Sequence, residues 1–351
     1  MAYNSIKQRI ENNDTIILDG AIGAELEKKG AKMHKDLWCG TCSVESPDLV
    51  KKVHEDYILA GADIITTNTY ATTPIAMKQY GFNDQINEFN KKSVQLAKEA
   101  VKNSNKNVAI AGSVSTFGSL YKYGLKAMKP GFKEQLNILS NEGVDLIILE
   151  AMSSQADIVQ TIVECSLQTK LPVWLSISCV IDGNTNKVML GYNDTLDTDT
   201  NVYEDFETSI NNFSKIHNGP ILIAHSDIKV TGQAIKIAKK RFNGILGAYP
   251  NRGHYEKPHW KFVDNITPSE YLENAKLWVK DGVNIIGGCC GTTFNHIKAM
   301  RKAMDNHKVG SAPTLNQIET IVGPLSKGSK AILKDDDSIP TRQRRSRRNR
   351  I

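Results

Sequence analysis

Short apolar, β-branched runs alternate with longer amphipathic stretches along most of the chain. The runs fall at residues 15–18, 63–66, 108–111, 146–149, 173–176, 221–224, 244–247 and 284–287. Consecutive apolar positions suit strands buried on both faces, as in a parallel sheet. Helical periodicity fills the intervals. Residues 47–60 place Leu49, Val50, Val53, Tyr57 and Ile58 on one face, and similar patterns run through 94–101, 158–163 and 234–238. Gly61, Gly143 and Gly282 follow three of these helices, where a left-handed cap is needed. Eight strand–helix units over about 300 residues predict an α/β fold, a (β/α)8 TIM barrel. An open doubly wound sheet would usually carry a Gly-x-Gly-x-x-Gly turn after its first strand. That turn here reads Asp19-Gly20-Ala21-Ile22-Gly23-Ala24, so dinucleotide binding is set aside.

The barrel is expected over residues 1–305 and a C-terminal extension over 306–351, with 306–340 covering the barrel or reaching a partner subunit, as in a homo-oligomer. The 335–337 acidic run and the arginine-rich end read as disordered. The net charge of +6 belongs to that end. The chain has 44 Lys and Arg against 38 Asp and Glu, and six arginines lie between 342 and 350. The body is therefore formally neutral. A short basic tail without aromatics reads no bases, so no nucleic-acid partner is expected. No apolar run reaches the ~18 residues of a membrane helix, so no membrane partner is expected either. Six cysteines in 351 residues make no disulfide framework, and the opening residues lack a signal-peptide core. A reducing, cytoplasmic location follows as the expectation.

Barrel active sites form at the C-terminal ends of the strands. In order, those ends carry Asp19-Gly20, Thr67-Asn68-Thr69-Tyr70, Gly112-Ser113, Glu150, Ser176 with Ser178, His225-Ser226-Asp227, Tyr249-Pro250-Asn251 and Gly288-Cys289-Cys290. Adjacent cysteines cannot bond to each other without severe strain. Flanked by glycines between a strand and a helix, they can share a soft metal such as zinc. Thr293 reads as the N-cap of that helix, which continues through Ile297, Met300 and Met304. Glu150 at the end of an apolar strand needs a partner, a structural cation or a substrate ammonium, and the second reading is preferred. Alone, Asp19 reads as a helix cap and His225 as an ordinary hydrogen-bonded histidine. Cys39-x-x-Cys42 has redox spacing without a redox context and is read as coincidental.

Taken together, these residues resemble the homocysteine S-methyltransferase family. The matching features are Asp19-Gly20 with Gly23 and Glu25-Leu26, Pro47…His54…Tyr57…Ala60-Gly61-Ala62-Asp63, Thr66-Thr67-Asn68-Thr69-Tyr70, Ala111-Gly112-Ser113, Asp145…Glu150, Tyr249-Pro250-Asn251 and Gly287-Gly288-Cys289-Cys290-Gly291-Thr292. The resemblance implies a zinc ion held by three cysteines. Two match Cys289 and Cys290. The third normally closes the sixth strand, where this chain has Ser226, with His225 one residue earlier as the alternative ligand. Adjacent strand residues point to opposite sides, so coordination by His225 requires the chain to leave β geometry there. Ser226 itself is expected to matter little.

The implied reaction is methyl transfer from a sulfonium or quaternary ammonium donor to homocysteine, giving methionine, with no general base in the transfer step. Homocysteine and a small methyl donor are the implied partners. Asp19, Gly20, Glu150, Thr67, Asn68 and Gly288 are the expected substrate contacts. Trp38, Tyr70 and Tyr249 are candidates for an aromatic cage around the donor. The alternative, with the third cysteine absent, is a non-catalytic or altered-specificity barrel that binds an amino acid or sulfonium compound.

Overall fold

The structure is a computed structural model and describes residues 2–118, 124–152, 156–191, 204–252, 254–256, 259–261, 266–305 and 308–310. The expected arginine-rich tail, the acidic run and nearly all of the 306–351 extension lie outside the described residues.

Eight parallel strands form the barrel: β1 (Ile16–Ile17), β2 (Ile64–Thr66), β3 (Ala109–Ser115), β4 (Leu146–Met152), β5 (Val173–Ile177), β6 (Ile221–Asp227), β7 (Leu246–Asn251) and β8 (Ile285–Ile286). They are hydrogen-bonded in the order 1-8-7-6-5-4-3-2. A parallel bridge between Leu18 and Ile64 closes the ring from β1 to β2. The backbone N–H of Asp19 donates to the Ile64 carbonyl there at 3.0 Å, and that of Asp63 to Ile17 at 2.7 Å.

The strand pleat explains the two cores. Ile17, Ile65, Ile147, Leu149, Ile221 and Ile223 face outward and pack under the helices. Their neighbours Ile16, Leu18, Ile64, Ile148, Leu222 and Ala224 face inward with Trp174 and fill the barrel. Each buried aliphatic side chain of this kind contributes roughly 1.5–3 kcal/mol. A helix that sequence reading missed, Ala2–Glu11, stops the bottom of the barrel. Its Ile6 and Ile10, one turn apart, join the inner cluster, and Tyr3 accepts a hydrogen bond from Trp174 Nε1 at 3.2 Å.

The expected caps are present. Gly61, Gly143 and Gly282 have φ of 107°, 74° and 98°. Gly61 is constrained twice, because a Cβ there would also lie 2.6 Å from Arg301 Cγ. Helix Phe294–Met304 begins at Thr293, whose side chain caps it as expected. The expected seventh strand at 244–247 is instead β7 at Leu246–Asn251.

Asp63 ties the two ends of the barrel together. It accepts Arg9 at 2.5 and 3.2 Å and the Ile17 N–H at 2.8 Å, and it pairs with Arg301 from the last helix. One carboxylate thus joins the bottom helix, β1, β2 and the closing helix. Charge-assisted bonds of this kind contribute about 1.5–3 kcal/mol each. Asp63→Asn is expected to lower the urea midpoint by at least about 2 kcal/mol of stability, with an unchanged m-value. A midpoint equal to the parent's would show that the clasp is dispensable.

Candidate active site

The inner core ends in polar groups. Above Ala111 on β3 comes Ser113, and above Ile148 on β4 comes Glu150. At this height the barrel opens into a cleft of about 980 Å³. Of the expected site residues, Asp19, Gly20, Trp38, Thr67, Asn68, Tyr70, Glu150, His225, Tyr249, Gly288, Cys289 and Cys290 all line it. Ser226 does not.

Two buried carboxyls line the cleft, from the ends of β1 and β4. Asp19 is 3% exposed and accepts the Thr66 N–H at 2.7 Å and its hydroxyl at 3.1–3.2 Å. Burial holds its pKa well above the usual carboxylate range, against those hydrogen bonds, and Glu150 adds repulsion. Glu150 accepts the Tyr249 hydroxyl, and the Ser113 hydroxyl at 3.1 Å. Burial raises its pKa to about 7, although both hydrogen bonds favour the ionised form. A carboxyl poised there can take either charge near neutrality, and a cationic ligand would fix it as the anion.

The sulfurs lie beside them, and the Gly288 N–H donates to the Asp19 carbonyl at 3.1 Å. Cys289 is held by a short turn: its N–H donates to Pro250 O at 3.0 Å, and its carbonyl accepts the Thr292 N–H and hydroxyl. Gly288 is required, since a Cβ would fall 2.1 Å from Thr292 Oγ1. The Cys290 thiol donates to Cys289, and His225 lies alongside. Together they hold the Cys289 thiol well below the ordinary cysteine range despite burial. Cys289 Sγ and His225 Nδ1 are 3.5 Å apart. Metal bonds of about 2.3 Å to sulfur and about 2.0–2.1 Å to nitrogen, at a tetrahedral angle, would put the two donors about 3.5 Å apart. This pair therefore fits one zinc ion. No group of three or more His, Cys, Asp or Glu with metal-holding geometry occurs among the described residues.

Backbone strain marks the same cleft. Six non-glycine residues among those described have positive φ. Three are asparagines, which tolerate this conformation. The others are Trp38, Ala151 and His225, at 46°, 50° and 48°, and all three line the cleft. Strain of this kind collects at functional sites. His225 does leave β geometry, as its use as a ligand requires.

The walls are mostly committed to the scaffold. Asn68 donates to Cys39 O at 2.9 Å and to Ser43, and accepts Cys39 Sγ at 3.3 Å. Thr67 Oγ1 lies 2.7 Å from Thr69 Oγ1 and accepts the Ser113 N–H at 3.2 Å. Tyr70 packs edge-on against Phe117, 5.7 Å between centroids. Trp38 presses so closely on Gly23 that a Cβ there would meet it at 2.3 Å. Tyr249 commits its hydroxyl to Glu150, so it orients the acid as well as facing the cleft. Sequence reading missed Cys39, Phe117 and Ala151. Cys39, part of the Cys-x-x-Cys spacing read above as coincidental, lines the cleft. Its proximity to the Trp38 position was the available signal.

Comparison with known proteins gives a consistent result. The family profile described as Homocysteine S-methyltransferase matches residues 16–304. Homocysteine S-methyltransferase 3 of Zea mays is 28% identical over 321 residues, spanning 83% of this chain and 90% of that protein. The selenocysteine methyltransferase of Astragalus bisulcatus is 26% identical over 341 residues, spanning 86% and 94%. Among solved structures, the metallated form of the Escherichia coli homocysteine methyltransferase MmuM shares the fold, with a TM-score of 0.67 at 22% identity, over 84% of this chain and 98% of that one. The profile match covers every barrel strand and both ends of the cleft, and the chain belongs to the homocysteine S-methyltransferase family.

Proposed function

We propose that this chain transfers a methyl group from a small sulfonium or quaternary ammonium donor to homocysteine, giving methionine, with zinc held by Cys289, Cys290 and His225. The observation that carries this reading is the 3.5 Å approach of Cys289 Sγ to His225 Nδ1 in a cleft shared with two buried carboxyls. Bound there, zinc would supply acidification of the substrate thiol, which otherwise stays largely protonated at neutral pH. The chain supplies the rest. Glu150, oriented by Tyr249 and Ser113, receives the substrate ammonium, and Asp19 adds negative potential beside it. Gly20, Thr67, Asn68 and Gly288 shape the walls. Trp38, Tyr70 and Tyr249 present aromatic faces suited to a methylated cation. In the transfer, an S–CH3 bond forms as the donor's C–S or C–N bond breaks. The donor leaves as a neutral thioether or amine with the bond's electron pair, so no base is needed at that step. The proton lost from the thiol goes to solvent.

A binding protein without turnover is the second reading, favoured by the exchange of a thiolate position for Ser226. Metal content and turnover separate the two. Cys289→Ser, Cys290→Ser and His225→Ala are each expected to lose most bound zinc and most homocysteine methylation while the barrel stays folded. Zinc analysis with a donor panel checks this. Full zinc and full rate in any one variant would remove that residue from the ligand set.

Glu150 sets a pH dependence. Its carboxyl in the free protein titrates at about 7, and only the anion pairs with an ammonium. Below that pH, kcat/KM for homocysteine is expected to fall about tenfold per unit as Glu150 takes up its proton. Glu150→Gln should raise KM strongly and flatten this acid limb. A limb that persists unchanged in the variant would assign it to another group.

A further inference from the structure

Strict alternation along β6 would turn residues 222, 224 and 226 into the barrel and residue 225 away from it. Leu222 and Ala224 obey, both in the inner cluster. The order then inverts. His225 reaches the cleft, and Ser226, 2% exposed, does not line it. The inversion is confined to His225, whose φ is 48°. Ser226 makes its hydrogen bonds around that residue. Its hydroxyl donates to the Ala224 carbonyl at 2.8 Å, closing a small ring across His225. It also accepts the Cys179 backbone N–H at 2.8 Å and the Cys179 thiol at 3.4 Å, just beyond β5. A hydroxyl has one proton and two lone pairs, so its capacity is fully used.

We infer that Ser226 is a positioning residue whose hydroxyl clamps the end of β6 in a left-handed turn and so aims the His225 imidazole at Cys289. Its consequence for metal binding rests on the proposed reading of His225 as a ligand. The clamp itself does not. A serine in place of a thiolate is then not a simple loss. The hydroxyl anchors to the neighbouring strand, and the imidazole takes over the position facing the cleft. The expectation that Ser226 matters little is revised accordingly.

Two measurements on the full chain test this. The first needs no metal. Left-handed backbone favours glycine over alanine. In metal-free protein, His225→Gly should have a clearly higher urea midpoint than His225→Ala. The gap should shrink markedly when Ser226→Ala is added to both. An equal gap in the two backgrounds, or none in either, would overturn the clamp. This comparison cancels any general damage from leaving the Cys179 N–H unpaired. The second is competitive zinc binding. Ser226→Ala should weaken zinc by about tenfold to 100-fold, as loss of a ligand-orienting partner does elsewhere. Ser226→Thr, which keeps the hydroxyl, should stay near the parent. Parental affinity in Ser226→Ala alongside lost affinity in His225→Ala would overturn the positioning role. Parental affinity in both would sink the ligand reading instead, and the metal-free comparison would still decide the clamp.

Discussion

The period of two along each parallel strand decides which residues reach the cleft. Inward positions from the bottom of the barrel upward run apolar, apolar, then polar, and the change of character marks the floor of the site. Ala111 gives way to Ser113 on β3 and Ile148 to Glu150 on β4. The strands leave this rule at or beside groups that line the cleft. Ala151 follows Glu150 with φ of 50°, within an irregularity where β4 slips against β5 between Leu149 and Met152. His225 breaks the alternation on β6. A regular barrel would offer one side chain every second residue at fixed spacing. Local left-handed turns re-aim single side chains without disturbing the ladder below.

The site also sets charge against stability. Asp19 and Glu150 are brought near each other in a poorly solvated cleft, and each raises the cost of ionising the other. Glu150 titrates at about 7 in the fold, well above an ordinary glutamate. Its burial therefore destabilises the folded state fully above pH 7, and the penalty fades as pH falls toward the unfolded value. Tyr249 and Ser113 offset part of that cost by donating to the ionised form. Among the described residues neither carboxyl forms a salt bridge, and under the proposed function a cationic ligand would serve as the partner. At the opposite end of β2 the arrangement is reversed. Asp63 is satisfied by two arginines and a backbone N–H, and it is structural.

Much of the fold was legible because burial on both faces leaves an unbroken apolar run for each strand. The same rule explains what was misread. β3, β4 and β6 extend three or more residues past their apolar runs, through Ser115, Met152 and Asp227. The apolar pattern does not reach these ends because the cleft, not the core, selects their residues. β7 was placed too early for the same reason: Tyr249-Pro250-Asn251 read as a strand end though it is strand. The bottom helix escaped notice because only Ile6 and Ile10 mark its buried face in a polar segment. The site's membership was readable from strand ends. Its hydrogen bonding was not. Nothing in the sequence indicates that Tyr249 donates to Glu150, 99 residues away, or that Ser226 turns toward Cys179. Those depend on side-chain direction at a single irregular residue.

The exchange on β6 has an electrostatic consequence. Two thiolates and a neutral imidazole carry one negative charge fewer than three thiolates. In the proposed site, a zinc ion held this way would keep more of its own positive charge and would withdraw more electron density from a fourth, exchangeable sulfur. The thiol bound there would lose its proton at lower pH, but the resulting thiolate would be a weaker nucleophile, since nucleophilicity falls with basicity. The two effects oppose each other in the rate at neutral pH. The acid side gains thiolate, and the alkaline side, where deprotonation is already complete, loses reactivity. In the proposed site Glu150 would act against the first gain, because it takes up its proton near pH 7 and would then no longer hold an ammonium. Under the proposed function, ligand exchange on β6 and burial of Glu150 on β4 would therefore act on one pH window from opposite sides, each through a strand whose end departs from regular β geometry.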